Sequence, residues 1–300
     1  MEIKYLELAD KFIFERNLLV GCEITPSTFR TYQIRLSLIK KYLAFINQED
    51  ILVNEINLGF VKRYDIWLRT DRKLANDYIM KCIQFISRVF DFAVENEYIS
   101  SNPCNLFKYR YNRLMKRNYI TEEELTKIEN LDPRESNLKR IRDIFIFAAY
   151  TGLSYADIQK FNYKRHTYIK DGIEWIHIRR QKTDTETLLP LLPKAKEILI
   201  KYSYKLPIPS NPTYNYHLKT IADRCRIRVL LTTHSARKTF GMIMHNVYGV
   251  SIDTVSKMLG HTSVRTTQDW YVDTTEGKIL HDMKSVIEKM NGTVQVLSSS

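Results

Sequence analysis

The stretch Thr232 to Asp273, TTHSARKTFGMIMHNVYGVSIDTVSKMLGHTSVRTTQDWYVD, includes His234, Arg237, His261 and Tyr271 at spacings that could bring them to one place. His234 and Arg237 are three residues apart, so on a helix they share a face. An apolar segment follows, then Leu259-Gly260-His261, Thr266-Thr267-Gln268 and Tyr271. These are the groups one would gather around a phosphodiester. A guanidinium forks onto phosphate oxygens, imidazoles donate hydrogen bonds to them, and a phenol can attack to form a covalent intermediate.

Taken singly, none of these residues carries the argument. A lone histidine such as His234 is more often a helix or core residue than a catalytic one, because perturbed sites are few in any protein. Tyr271 is one of 19 tyrosines, and by residue type alone nothing sets it apart.

The bulk properties narrow the partner. A 300-residue chain that is 44% hydrophobic can bury two moderate cores. Its 46 Lys and Arg against 34 Asp and Glu leave a formal charge of +12, which favours a polyanion, nucleic acid first. Surplus charge can also serve solubility alone, so the motifs must decide. Cys22, Cys82, Cys104 and Cys225 are scattered without a C-x-x-C pair, as in a reducing compartment. No metal and no cofactor is expected. Charges interrupt the apolar positions of MEIKYLELADKFIFERN, which is neither a signal peptide nor a membrane span. A cytoplasmic protein with no membrane partner is expected.

The elements that must position the reactive stretch follow from periodicity. Helical spacing runs from Ile3 to Asn17, and Pro26-Ser27-Thr28 opens a second helix to about Ile46, with Arg30, Arg35, Lys40 and Lys41 on its polar side. Further helices are expected within Asn57 to Arg69 and from about Leu74 to Asn96, the latter with Ile79, Ile83, Ile86, Val89, Phe90 and Ala93 on one stripe. A helical domain over 1–105 results. Turn formers and Pro103 then break the pattern, and a basic linker is expected over 106–118. Its Lys108, Arg110, Arg113, Lys116 and Arg117, interleaved with aromatics, would suit a chain passing along a phosphate backbone, as would Arg30 and Arg35; a plain solvated linker is the alternative.

A second domain is expected over 119–292, with a tail at 293–300. Thr121 with Glu124 reads as a helix start, the helix from about Asn137 should end at Gly152, and Ser154 with Asp157 fits a capping box. Between Lys164 and Leu192 the period changes to that of three short strands, with turns at Asp171-Gly172 and near Thr183-Asp184. Helices follow from Pro193 to about Tyr204 and from Thr213 to Arg226. The fold class is mainly α with a small antiparallel β-sheet.

In chain order, TGL-x-x-x-D at Thr151 to Asp157, Lys182 on a hairpin, H-x-x-R, LGH and a following tyrosine resemble the tyrosine recombinases of the phage-integrase family. The resemblance spans about Tyr119 to Glu288, and the helical first half is similar in character to that family's core-binding domain. H-x-x-R alone occurs widely; five elements in order are specific. The resemblance implies that His234, Arg237 and His261 meet the negative charge that develops on a phosphodiester under attack. It implies that Lys182 protonates the leaving 5′ oxygen and that Tyr271 is the nucleophile, forming a 3′-phosphotyrosyl bond with no metal or ATP.

Two positions depart from the family pattern. An arginine usually follows T-G-L, but here Ser154 does, and a serine cannot supply a cationic fork. Strand alternation nominates Arg180 as the substitute, facing the same way as Lys182, with Arg179 turned to DNA or solvent. Ser154 is then a helix cap, and Asp157 takes the place of the family's acidic partner. Serine at this position resembles the integrases of the Bacteroides conjugative-transposon branch. The tyrosine is usually nine residues after the LGH histidine; here Trp270 is ninth and Tyr271 tenth.

After Tyr271 a final helix is expected from Thr274 to about Met290, either completing its own core or, as the resemblance implies, passing to a neighbouring protomer. The resemblance further implies a dimer on each DNA site, a tetramer in the synapse, and integration, excision or inversion of DNA as the outcome. Since the chain opens at the core-binding-like domain, a simple recombinase or a shorter integrase is expected. A catalytically silent DNA-binding relative and a type IB topoisomerase-like enzyme are the alternatives.

Overall fold

A computed structural model describes residues 3–111, 117–181, 183–271 and Met283, with backbone only for Thr266, Asp269, Trp270 and Tyr271. The chain divides into two units, Met1–Met115 and Lys116–Ser300.

The first unit is built on α1 (Tyr5–Leu18), α2 (Pro26–Phe45), α3 (Leu58–Thr70) and α4 (Asn76–Glu95) around one core. Local chemistry starts the helices where it should. Thr25 Oγ1 accepts from Thr28 N ahead of Pro26, and Asn57 Oδ1 accepts from Phe60 N, caps worth roughly 1 kcal/mol each. The apolar stripe of α4 is buried along its length, against α1, α2 and α3. Ile86→Ala there would cost about 2–5 kcal/mol through lost burial and a residual cavity.

The unit does not stop at 105. Phe107 and Tyr109 pack on its core, Asn76 Nδ2 donates to Arg110 O, and Gln84 Nε2 donates to Tyr111 Oη. Residues 106–111, expected as the start of a linker, are therefore part of the first unit, with Phe107 and Tyr109 half-buried and Lys108 and Arg110 facing water. The physical reason is alternation: an extended segment turns every second side chain inward, here Phe107 and Tyr109.

In the second unit α5 (Glu122–Asn130) and α6 (Ser136–Thr151) precede α7 (Tyr155–Lys160) and the short α8 (Tyr163–His166). Then come β1 (Thr167–Lys170), β2 (Ile173–Arg179) and β3 (Glu186–Pro190), an antiparallel sheet in the order β1-β2-β3. Asp171 and Gly172 both have positive φ, as a tight hairpin turn demands. Pairing of Ile176 with Leu189 and of Ile178 with Thr187 sets the register, so the buried side chains of the two strands share the face toward the core. α9 (Pro193–Lys201) and α10 (Asn211–Arg224) follow. α11 (Thr233–Met242) passes into a π-helical turn at Ile243–Val247, and α12 (Ile252–Leu259) and α13 (Val264–Tyr271) complete the described part.

The short α8 and the π turn are additions to the sequence reading. α6 is the spine of this unit: it buries Ile141, Ile144, Phe145 and Phe147 and packs against α5, α9, α10 and α11. Lys182, Arg113, Lys116, the helix expected over 274–290 and the tail at 293–300 lie outside the described residues, apart from Met283.

Candidate active site

The site forms where α6, α11 and α12 end or begin together. A reciprocal cap starts α11: Ser235 N donates to Thr232 Oγ1 at 3.2 Å, and Thr232 N donates to Ser235 Oγ at 2.6 Å. His234 therefore sits in the first helical turn and is exposed, while Arg237, three residues on, is buried. Arg237 Nη1 donates to Gly152 O at 2.6 Å and its Nη2 donates to Leu259 O. Both acceptors lie at helix C-termini, of α6 and α12, where the partial negative charge of unsatisfied carbonyls favours a cation. That setting lets a guanidinium be buried and stay charged.

The hairpin supplies a second guanidinium. Along β2 the buried residues are Ile176 and Ile178, and the inward alternation carries on to Arg180, just beyond the strand. Arg180 Nη1 donates to Gly260 O at 3.0 Å, and its Nε lies 3.6 Å from Asp157 Oδ2, both side chains being largely sequestered from water. Arg179 points the other way, 63% exposed, toward Asp184 at 3.2 Å and Glu186 at 3.9 Å. Thr185 Oγ1 also donates to Gly260 O, at 2.7 Å, so the β2–β3 hairpin is tied at two points to the end of α12.

Ser154 and Asp157 hold the hairpin from the other side. Ser154 caps α7, with its Oγ donating to Asp157 Oδ2 at 2.6 Å, while Asp157 Oδ1 accepts from Gln181 N at 3.0 Å. The carboxylate is buried yet meets a hydroxyl, a backbone N–H and a nearby guanidinium, which is what a buried charge requires.

His261 reports on this electrostatic environment. Burial, then the charges of Arg237, Arg180 and His234 in that order, draw its pKa from 6.5 to about 4. The ring is neutral at neutral pH. Its Nδ1 lies 2.7 Å from Oγ1 of the buried Thr267 on α13, and its backbone N donates to Ser256 O.

The structure thus brings together Arg180, Arg237, His234 and His261, with Ser154 and Asp157 behind Arg180. Tyr271 is the last residue of α13, and its side chain, like Lys182, lies outside what is described. Tyr214 is buried, and Tyr248 Oη donates to Glu122 Oε1. The sequence reading missed Thr185, Thr267 and Lys238, a buried neighbour of Arg237 whose pKa burial lowers to about 8. The TTQ motif was the one available signal for Thr267.

Among the basic residues expected to meet a DNA backbone, Arg30, Lys108 and Arg110 are exposed. Lys108 and Arg110 line one cleft with Lys62 and Arg69. Arg35 instead lies half-buried with its Nε covered, close to Tyr78 and Cys82 of α4. Arg117 is engaged by Glu124 and donates to Tyr119 O at 3.1 Å, so contact with phosphate would compete with those bonds. Among the described residues no group of His, Cys, Asp and Glu is arranged to hold a metal ion, and no helix is long and apolar enough to cross a membrane.

Two anchored guanidiniums and two imidazoles define a site for a phosphate-like anion, carried on a helical domain with a small antiparallel sheet. Residues 4–111 match the phage integrase SAM-like domain and residues 118–278 match the phage integrase family; the chain belongs to the phage integrase family. It is 20% identical to the tyrosine recombinase XerC of Pediococcus pentosaceus over 293 residues, covering 89% of this chain and 94% of that one. The XerC of Rickettsia felis is also 20% identical, over 88% of this chain and 91% of that one. Among solved structures, a lambda integrase (75–356) dimer bound to a core site superposes with a TM-score of 0.72 at 16% identity, covering 91% of this chain and 97% of that one. The Tn1549 transposon integrase with a circular intermediate DNA gives 0.67 at 13% identity, over 94% of this chain and 99% of that one. These likenesses show the fold.

Proposed function

We propose that this protein is a site-specific DNA recombinase that cleaves and rejoins strands through a 3′-phosphotyrosyl intermediate. Family membership supports the class of enzyme. The observation that carries the chemistry is the convergence at the end of α12: Arg237 of α11 donates to Leu259 O, Arg180 of the hairpin donates to Gly260 O, and His261 comes next, its ring acted on by both and by His234. A phosphodiester among them would have its non-bridging oxygens met by two guanidiniums and neutral His261, which matches the charge that grows as the phosphorus is attacked. Arg180 stands in for the arginine that Ser154 replaces. Tyr271 attacks phosphorus, the 5′ oxygen leaves with a proton from Lys182, and the 5′ hydroxyl of a partner strand reverses the step. Because the phosphotyrosyl bond keeps the energy of the phosphodiester, rejoining proceeds with no external energy source.

The first unit grips double-stranded DNA through basic residues, Arg30, Lys108 and Arg110 among them, and the protein works on DNA in the cytoplasm. Lambda integrase neighbours include a dimer on a core site and a tetramer on a Holliday junction. We carry the same assembly to this chain, a dimer on each site and a tetramer in the synapse. Integration, excision or inversion of mobile DNA are the outcomes such chemistry serves.

The test is a suicide substrate, nicked so that the strand downstream of the scissile phosphate is lost after cleavage. Wild type should accumulate a covalent protein–DNA adduct, and Tyr271→Phe should form none while still binding the duplex. An adduct retained by Tyr271→Phe would remove Tyr271 as nucleophile. DNA binding without any adduct in wild type would leave a silent DNA-binding relative, and relaxation of supercoils without strand exchange a topoisomerase-like enzyme.

A further inference from the structure

His261 has one tautomer that serves a phosphate and one that opposes it. A neutral imidazole carries a single N–H, and phosphate oxygens only accept hydrogen bonds. If the hydrogen sits on Nε2 the ring donates to the phosphate; if it sits on Nδ1, the Nε2 lone pair faces the anion and repels it. What decides between them is the partner of Nδ1. That partner is Thr267 Oγ1 at 2.7 Å, and Thr267 is fully buried. A hydroxyl can donate or accept, but this one is buried with Nδ1 as its hydrogen-bond partner among the described residues, so accepting from Nδ1–H would leave its own hydrogen unsatisfied, whereas donating to Nδ1 satisfies it.

We propose that Thr267 is a positioning residue: its hydroxyl donates to His261 Nδ1, fixes the hydrogen on Nε2, and so makes the neutral ring a donor to the scissile phosphate. The proposal rests on the reading that His261 contacts that phosphate. Two features of the structure support it. Arg237 and Arg180 act on the ring and oppose a second proton on it, so a single N–H has to be put in the right place. Thr267 also belongs to α13, the helix that ends at Tyr271 about one turn later. The contact that prepares the phosphate-binding donor is therefore made by the helix that carries the nucleophile, and the two are readied by one docking event.

The full-length protein with 15N-labelled histidine is the sample, the His261 signals being assigned by their loss in His261→Gln. Wild type should show neutral His261 with Nε2 protonated. Thr267→Val, which keeps the shape but lacks the hydroxyl, should give a mixture of tautomers and slow adduct formation on the suicide substrate about tenfold or more. Thr267→Ser should restore both. Nδ1 protonated in wild type would overturn the proposal. So would a Thr267→Val enzyme that keeps the Nε2–H form, even if slower, because its defect would then be structural. Failure of wild type to form an adduct would strike the catalytic reading, while the tautomer spectra would still decide what Thr267 does.

Discussion

Replacing Arg180 by alanine, beside the same change at Arg179, puts the missing-arginine problem to a direct measurement. Arg180 is about a tenth exposed, donates to Gly260 O at 3.0 Å and approaches Asp157 to 3.6 Å, so its guanidinium is held in place before substrate arrives. Removing one preorganised donor to a developing oxyanion costs about 100- to 1,000-fold in rate, or roughly 2.7–4 kcal/mol. Arg179 sits at the rim, where ion pairs to Asp184 and Glu186 contribute about 0–1 kcal/mol. Its loss should change cleavage by no more than about threefold.

Stability has to be tracked alongside, because Arg180 also faces a buried carboxylate. Asp157 keeps Ser154 Oγ and Gln181 N as donors, so its partial loss of pairing should cost about 1–3 kcal/mol rather than the whole fold. Arg180→Lys separates the two effects, since it retains the charge but not the fork, and should cleave at an intermediate rate. Single-turnover adduct formation on the suicide substrate, with a thermal melt of each variant, is the assay. A larger loss from Arg179→Ala than from Arg180→Ala would refute the assignment, as would an Arg180→Ala enzyme within threefold of wild type.

Two further expectations use the same geometry. A Cβ on Gly260, whose φ is +60°, would lie 2.5 Å from Thr187 Oγ1 and 2.7 Å from Arg180 Cδ, whereas one on Gly172, φ +74°, meets nothing within 4 Å. Gly260→Ala should therefore slow cleavage at least tenfold by displacing the hairpin, and Gly172→Ala should cost only about 1–2 kcal/mol of backbone strain with cleavage retained; equal effects on cleavage would sink this reasoning. His261 holds a folded-state pKa of about 4 against 6.5 for the free ring, so the unfolded chain binds the extra proton between those values and stability should fall as pH drops from about 6.5 to about 4. The ring is only half-buried, which limits the effect to roughly 1 kcal/mol after screening, and urea midpoints at pH 7 and pH 5 should shift less in His261→Gln than in wild type.

Much of the scaffold was legible because its signals are local. The stripe on α4, the caps at Thr121 and Ser154 and the Asp171-Gly172 turn each depend on residues a few positions apart, and each is found where those residues put it. Residues 106–111 read as linker because they follow the turn formers and Pro103 and interleave charge with aromatics, while the partial burial of Phe107 and Tyr109 depends on helices far away in sequence. α8 is one turn long and carries no periodicity to detect, and the π turn after α11 leaves no mark of its own on the sequence. At the site, the identity of His234, Arg237 and His261 could be read, but not what holds them. Arg237 rests on main-chain oxygens, which no residue type announces, and Thr267 reaches His261 across a turn whose shape is set by the packing of α12 on α13.

The backbone at the end of α12 explains how Ser154 can stand where an arginine was expected. Leu259 O accepts from Arg237, Gly260 O accepts from Arg180 and Thr185, and His261 comes next. Both guanidiniums are thus measured off adjacent peptide units, and the imidazole they act on is attached to the same short run. A cation supplied by α7 would have been placed by that helix; one supplied by the hairpin is placed by Gly260 O, the same reference that locates His261. If Arg180 fills the proposed role, the charge comes from the hairpin instead of position 154, and Gly260 O places it beside the residue that carries the ring. Under the proposed mechanism, the hairpin that delivers Arg180 is tied down through Thr185 and Asp157, so loosening either contact should impair phosphate activation.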